Sequence, residues 1–204
     1  MRIALFGGTY DPVHRGHLAI ARAAANAFAL DQVIFAPTGR QPLKSKDADA
    51  PFADRLAMVE LVCTPAVDPG FVASDIDAPR ANGEPNYTVD VLEKLSRERP
   101  SSELFAIAGA DSFLTLPKWH DPERLLKLAE WIVVSRPEFP LTEERIAALG
   151  LSSGQRARVH LLTNVHEMVS STELRRRLRA GDPCTDLLPS NVSEYIRERG
   201  LYRT

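Results

Sequence analysis

Residues 1–18, MRIALFGGTYDPVHRGHL, decide the fold of this chain. Arg2 to Phe6 contain a nearly unbroken apolar run, Ile3-Ala4-Leu5-Phe6, as expected of a short strand buried in a parallel sheet. Gly7 and Gly8 follow, and their lack of a Cβ predicts a tight turn that brings backbone close to a ligand. His14, Gly16 and His17 then stand where helical periodicity begins. Leu18, Ala21, Ala25 and Phe28 share one face, with Arg22 and Asn26 opposite. A strand, a glycine turn and a helix start bearing two imidazoles predict a site for phosphate oxygens. Unpaired N–H groups and the helix dipole favour anions there.

Outward from this segment, apolar runs alternate with helical stretches to the end of the chain. Strands are predicted at Val33–Ala36, Phe71–Ser74, Leu104–Ala108, Trp131–Ser135 and Val159–Leu162. Helices are predicted from Pro51 (as the first helical residue) to about Cys63, from Thr88 to Arg99, and twice near the C-terminus, opening at Ser170 and Ser190. Gly200 closes the last. This alternation predicts an α/β fold: a Rossmann-like, doubly wound, mainly parallel sheet with helices on both faces and C-terminal helices. Residues 38–50 carry Gly, Pro, Lys, Asp and Ser without periodicity and are read as a long mobile loop. With 204 residues and no dividing linker, one domain over 1–204 is expected.

Composition excludes several classes. A net charge of −2 offers no basic surface for nucleic acid, so phosphate recognition must come from local cations. Cys63 and Cys184 lack CxxC or CxxH spacing, which argues against structural zinc or a disulfide scaffold and for a reducing cytoplasm. No signal peptide is recognised, and no stretch approaches the ~20 apolar residues of a membrane span. A Walker A loop, GxxxxGK[ST], is absent. A dinucleotide fingerprint also fails, because the second strand ends in Ala36-Pro37-Thr38 without the acidic residue it needs. The spacing of His14 and His17 permits metal ligation, but no Cys or further His-Asp cluster lies nearby in sequence. Hydrogen bonding to phosphate fits these imidazoles better, with Gly16 letting phosphates lie against the backbone.

GGTYDPVHRGH resembles the GGTFDPxHxGH signature of nucleotidyltransferases that share the (H/T)xGH motif, and SSTELR at Ser170–Arg175 resembles their SSTxxR element. Asn86-Tyr87-Thr88, Gly109-Ala110-Asp111-Ser112, Pro117-Lys118-Trp119, Ser135-Arg136-Pro137 and the tail LLPSNVSEYIRERGLYR are similar to bacterial nicotinate-nucleotide adenylyltransferases. That resemblance implies transfer of the adenylyl group of ATP to nicotinate mononucleotide in NAD biosynthesis, with Mg²⁺ accompanying ATP. It implies catalytic roles for His14, His17, Lys44 and Arg175. ATP would contact Gly7, Gly8, Thr9, Tyr10, Gly16, Gly109, Asp111, Ser171 and Thr172. The mononucleotide would contact Thr88, Trp119, His120 and Arg136, with Trp119 stacking on the pyridine ring. No protein metal ligand, nucleic-acid partner or membrane is implied.

Each of these positions also has a plain structural reading. Ser170 with Glu173 forms the pattern of a capping box, Asp111 is placed to cap a helix, and Trp131 reads as core. Arg176, Arg177 and Arg179 read as solvated charge. Two departures from the family pattern stand out: Leu43 where a histidine is usual, and His120 where a tyrosine is usual. Three rivals remain at this stage: transfer to another acceptor such as phosphopantetheine, a non-catalytic nucleotide sensor, and a redox Rossmann enzyme.

Overall fold

The computed structural model describes residues 1–42, 47–68, 70–135, 141–163, 165 and 169–203. Six strands, β1 (Arg2–Gly8), β2 (Gln32–Pro37), β3 (Phe71–Ala73), β4 (Glu103–Gly109), β5 (Glu130–Val134) and β6 (Val159–Leu162), form one sheet in the order β3-β2-β1-β4-β5-β6. The helices are α1 (Arg15–Phe28), α2 (Phe52–Val62), α3 (Thr88–Glu98), α4 (Ala110–Phe113), α5 (Pro122–Leu128), α6 (Glu143–Ala147), α7 (Ser153–Arg156), α8 (Ser171–Arg179) and α9 (Ser190–Arg199). The order reverses direction at β1 and β4, the kind of switch point at which doubly wound sheets bind ligands. The α/β, Rossmann-like expectation holds.

Two compact units are distinguished. The first comprises Met1–Gly7, Ile20–Val33 and Tyr87–His166, and the second Gly8–Ala19, Ile34–Asn86 and Glu167–Thr204. In the first, β1, β4, β5 and β6 pair in parallel, with Ile3 opposite Leu104, Ile107 opposite Ile132, and Val133 opposite Leu161. The apolar runs of β1, β4 and β5 are buried, which is why they read as continuous rather than alternating, while β6, at the sheet edge, is half-buried at His160 and Leu161. Val91, Leu92 and Leu95 bury one stripe of α3, and Leu125 and Leu126 do the same for α5, which packs on it. Trp131 is buried and donates through Nε1 to the Leu125 carbonyl (3.3 Å), as its core reading requires.

In the second unit α2 packs on α9. Met58, Val59 and Val62 meet the need of Val192 and Ile196 for apolar cover. Polar ties frame the contact: Asn191 donates to the Leu61 carbonyl (2.7 Å), and Asp54 accepts from Tyr195 (2.8 Å) and Arg199 (3.0 Å). Gly200 ends α9 at φ 64°, as predicted for a glycine beyond a helix C-terminus.

Several local expectations are corrected. Gly7 and Gly8 do not turn; they prolong β1. The turn comes afterwards, at Tyr10 (φ 49°) and a cis Asp11-Pro12 bond. Pro51 precedes α2 as its cap residue, and Phe52 is the first helical position. The helices α4 to α7 were not legible, because runs of seven residues or fewer hold too little of the 3.6-residue period. Among the described residues, no helix is long and apolar enough to cross a membrane.

Candidate active site

The second unit gathers the two sequence motifs. His14 is buried at the start of α1, and its Nε2 lies 3.2 Å from the hydroxyl of Ser171 at the start of α8, 157 residues away. The His17 ring stacks on that of His14 at 3.6 Å and 21°. The His14 backbone N–H donates to His17 Nδ1 (3.2 Å). Because Nδ1 accepts, a neutral His17 ring carries its proton on Nε2, which makes Nε2 the donor nitrogen of the ring. Tyr10, 1% exposed, sets its ring edge against His17 (4.9 Å) and also packs on Phe35. Its side chain therefore props His17.

The small residues have specific reasons. A Cβ on Gly16 would stand 3.2 Å from His14 Nδ1 and 3.3 Å from Val169, so its absence lets α1 start against both. A Cβ on Gly8 would press on the Tyr10 ring at 3.1 Å, whereas one on Gly7 would meet open space. Gly39, which the sequence did not mark, is fixed by contact: a Cβ there would fall 2.6 Å from Pro79 N and 2.7 Å from the Asp77 carbonyl.

Ser170 caps α8 by accepting from the Glu173 N–H (3.4 Å). The capping box is only half made, since the Glu173 carboxylate takes Arg176 (2.6 and 2.7 Å). Arg176 and Arg179 are exposed, as read, although Arg179 also pairs with Asp49. Arg177 is half-buried and binds Asp186 (2.9 Å) and Asp182 (2.7 Å), which push its guanidinium pKa up. Thr172 is exposed on the first turn of α8.

Arg175 is held in place on the same helix. It donates to the Asp11 carbonyl (2.8 Å), lies 3.8 Å from the Asp11 carboxylate, and pairs through Nε with Asp49 (3.2 Å). Asp11, 3% exposed, accepts from the backbone of Asp49 (2.7 Å) and Ala50 (3.0 Å) and from the Tyr202 hydroxyl (2.7 Å). The described end of the 38–50 loop is thus anchored rather than loose. Arg55, almost fully buried, donates to the carbonyls of Thr9 (2.6 Å) and Ala50 (3.2 Å). Burial lowers its pKa, while the Asp11 charge and those of neighbouring groups oppose that shift. Asp11, Arg55 and Tyr202 were missed as site residues. The only sequence signal was that Asp11 and Tyr202 fall inside the quoted family segments.

Asp77 carries a testable cost. Burial raises its pKa from 3.8 to about 6, against the pull of Asn86, Thr38, Arg55 and Arg80, and Oδ1 has no hydrogen-bond partner among the described residues. The folded form therefore binds a proton more tightly than the unfolded chain. The stability this brings is complete below about pH 4 and is lost as pH rises through about 6. Asp77→Asn is expected to stabilise the protein by about 1–3 kcal/mol at pH 8 and to flatten that fall. Thermal melts from pH 4 to 8 check it; a variant that parallels the parent at every pH contradicts it.

The first unit holds the other predicted residues. Gly109 precedes α4, and its missing Cβ leaves room for Asp111 Oδ1, which would lie 2.6 Å away. Asp111 is exposed in the first turn and is not the cap, a position taken by Gly109. Trp119 donates from Nε1 to Thr115 Oγ1 (2.9 Å), Thr115 donates to the Ser112 carbonyl (2.7 Å), and the indole meets Trp131 edge-on at 5.6 Å. Thr88 opens α3 beside Tyr87. His120 stacks on Tyr87 at 4.2 Å and 21°, so one face of its ring is already covered. Lys44, Arg136 and Leu43 lie outside the described residues.

The profile of the cytidylyltransferase-like family matches residues 5–177. A "Probable nicotinate-nucleotide adenylyltransferase" of Leifsonia xyli is 40% identical over 203 residues, covering 100% of this chain and 94% of that protein. One of the same name from Streptomyces coelicolor is 40% identical, covering 97% and 98%. Among solved structures, the Plasmodium falciparum nicotinic acid mononucleotide adenylyltransferase complexed with NaAD superposes with a TM-score of 0.79. Its 18% identity, over 98% of this chain and 97% of that one, speaks to the fold.

Proposed function

The chain belongs to the cytidylyltransferase-like family and, within it, to the nicotinate-nucleotide adenylyltransferases. On that footing we propose that it joins ATP and nicotinate mononucleotide into nicotinate adenine dinucleotide, with release of pyrophosphate. The observation that carries this reading is the meeting of the two motifs, with His14 Nε2 3.2 Å from Ser171 Oγ and Arg175 anchored to Asp11 nearby.

In this reading the mononucleotide phosphate attacks the α-phosphorus of ATP in line, and pyrophosphate leaves. The attacking oxygen is already ionised near neutral pH, so no general base is required. What the protein supplies is alignment and positive potential where charge builds. His17 Nε2–H serves the triphosphate oxygens, and so do His14, the α8 start with Ser171 and Thr172, Arg175 and Lys44. The backbone at Gly7, where a Cβ would meet open space, and at Gly8 and Thr9 is assigned to the nucleotide, while Gly16 serves by letting His14 pack at the start of α1. Mg²⁺ would screen phosphate charge. That cation would be carried mainly by phosphates and water. Gly109 and Asp111 are assigned to the nucleotide ribose. Thr88, Trp119, His120 and Arg136 are assigned to the pyridine half, His120 by whatever edge Tyr87 leaves open. Cys63 and Cys184 are free thiols, in keeping with work in a reducing cytoplasm.

The test is pyrophosphate release with ATP and Mg²⁺, offering nicotinate mononucleotide, nicotinamide mononucleotide and phosphopantetheine in turn. Turnover highest with the first is the expected result, and turnover confined to phosphopantetheine would refute it. Trp119→Ala is expected to raise KM for nicotinate mononucleotide by about 10-fold, the loss of one aromatic stack, while moving KM for ATP little. Equal losses for both substrates would remove Trp119 from the pyridine site.

A further inference from the structure

Tyr202 stands outside the sequence-predicted site, yet it reaches Asp11, a carboxylate that also takes the Asp49 and Ala50 amides. Its hydroxyl donates to Asp11 Oδ1 at 2.7 Å across 191 residues of sequence, and Asp11 and Tyr202 are both buried. Its backbone takes the left-handed conformation at φ 61°, where a bulky side chain persists only if its surroundings hold it. Burial and the neighbouring Asp11 both push its pKa up, so the hydroxyl keeps its proton and can act as donor.

Asp11 in turn is bound to the site on every side. One carboxylate oxygen takes the Asp49 amide, and the other takes both the Ala50 amide and Tyr202. Its own carbonyl orients Arg175, and Asp49, which it anchors, pairs with Arg175 and Arg179. Arg55 adds a buried positive charge nearby while binding the Thr9 and Ala50 carbonyls. Without the Tyr202 donor, Oδ1 is left with the Ala50 amide alone, and Asp11 is free to rotate toward the guanidinium of Arg175. A clamp neutralised in this way attracts phosphate less.

We propose that Tyr202 is a positioning residue for ATP: through Asp11 it fixes the Arg175 guanidinium and the 49–50 backbone in the arrangement that receives the triphosphate. This assignment rests on the adenylyl-transfer reading for the placing of the ATP triphosphate at Arg175. Tyr202 touches no reacting atom in it.

Tyr202→Phe keeps the ring and removes the donor. ATP affinity, measured by titration calorimetry without acceptor, is expected to fall about 5–10-fold, the loss of one hydrogen bond to a charged group. KM for nicotinate mononucleotide is expected to stay within about twofold, since that site is assigned to other residues. In an Arg175→Ala background the same substitution is expected to change ATP affinity no further, because residues acting as one unit are non-additive. An unchanged ATP affinity, equal losses for both substrates, or an undiminished loss without Arg175 each overturns the proposal. Should circular dichroism show that Tyr202→Phe does not fold, the same substitution is read in the Asp77→Asn background, expected to be more stable at pH 8. There it must show the same ATP-selective, Arg175-dependent loss relative to Asp77→Asn alone, or the proposal falls. The calorimetric arm needs no turnover. A wild-type protein that binds ATP but releases no pyrophosphate with any acceptor thus contradicts the proposed reaction and leaves the Tyr202 assignment to be read on its own.

Discussion

Replacing His17 by alanine is expected to lower kcat by at least ~100-fold while leaving the melting temperature nearly unchanged, as for loss of one preorganised donor to a developing oxyanion. The size of the effect follows from how the ring is held. The His14 amide occupies Nδ1, which places the proton on Nε2, and His14 and Tyr10 fix the ring plane from two sides. A donor fixed before substrate arrives needs no reorganisation during the reaction. The ring is only half-buried, so its removal opens no large cavity. His17→Asn retains a donor at shorter reach and is expected to keep part of the rate. Steady-state pyrophosphate release measures both variants, and parental turnover in His17→Ala would exclude the imidazole from the chemistry.

Replacing Arg175 by alanine is expected to reduce kcat/KM for ATP by about 100–1000-fold, the range for removal of one charge-stabilising donor. Two effects add. The triphosphate loses a guanidinium able to bind phosphate in a fork. The Asp11 and Asp49 carboxylates, now paired with that guanidinium at 3.8 and 3.2 Å, are left facing an incoming polyanion. Arg175→Lys restores charge without the fork and is expected to recover only part of the loss. Melting curves separate destabilisation from the kinetic effect, because the pair sits among buried groups. A kcat/KM within threefold of the parent in Arg175→Ala would remove the guanidinium from the clamp.

The positions of the chemistry were readable because they are local. Strand β1 announced itself by four consecutive apolar residues, and the start of α1 by the onset of period 3.6 at Leu18. His14, His17 and Ser170–Arg175 lie within short segments whose spacing alone distinguishes them from a Walker loop or a dinucleotide fingerprint. The glycine turn was misread for a related reason. Two glycines signal freedom at a position, and here the chain uses the absence of a Cβ at Gly8 for packing against Tyr10, while Tyr10 itself takes the positive φ.

Sequence by itself determined the order of the strands and the longer helices, the two motifs and the family, since each is written in residues close along the chain. Tertiary structure alone decided which charges meet: Asp11 with Tyr202 and Arg175, Asp49 with Arg175 and Arg179, and Arg55 turned inward to the carbonyls of Thr9 and Ala50. These partners are separated by up to 191 residues, and no periodicity or propensity links them. Their pairing is imposed when burial strips water from each group and leaves other protein atoms to replace the lost hydrogen bonds.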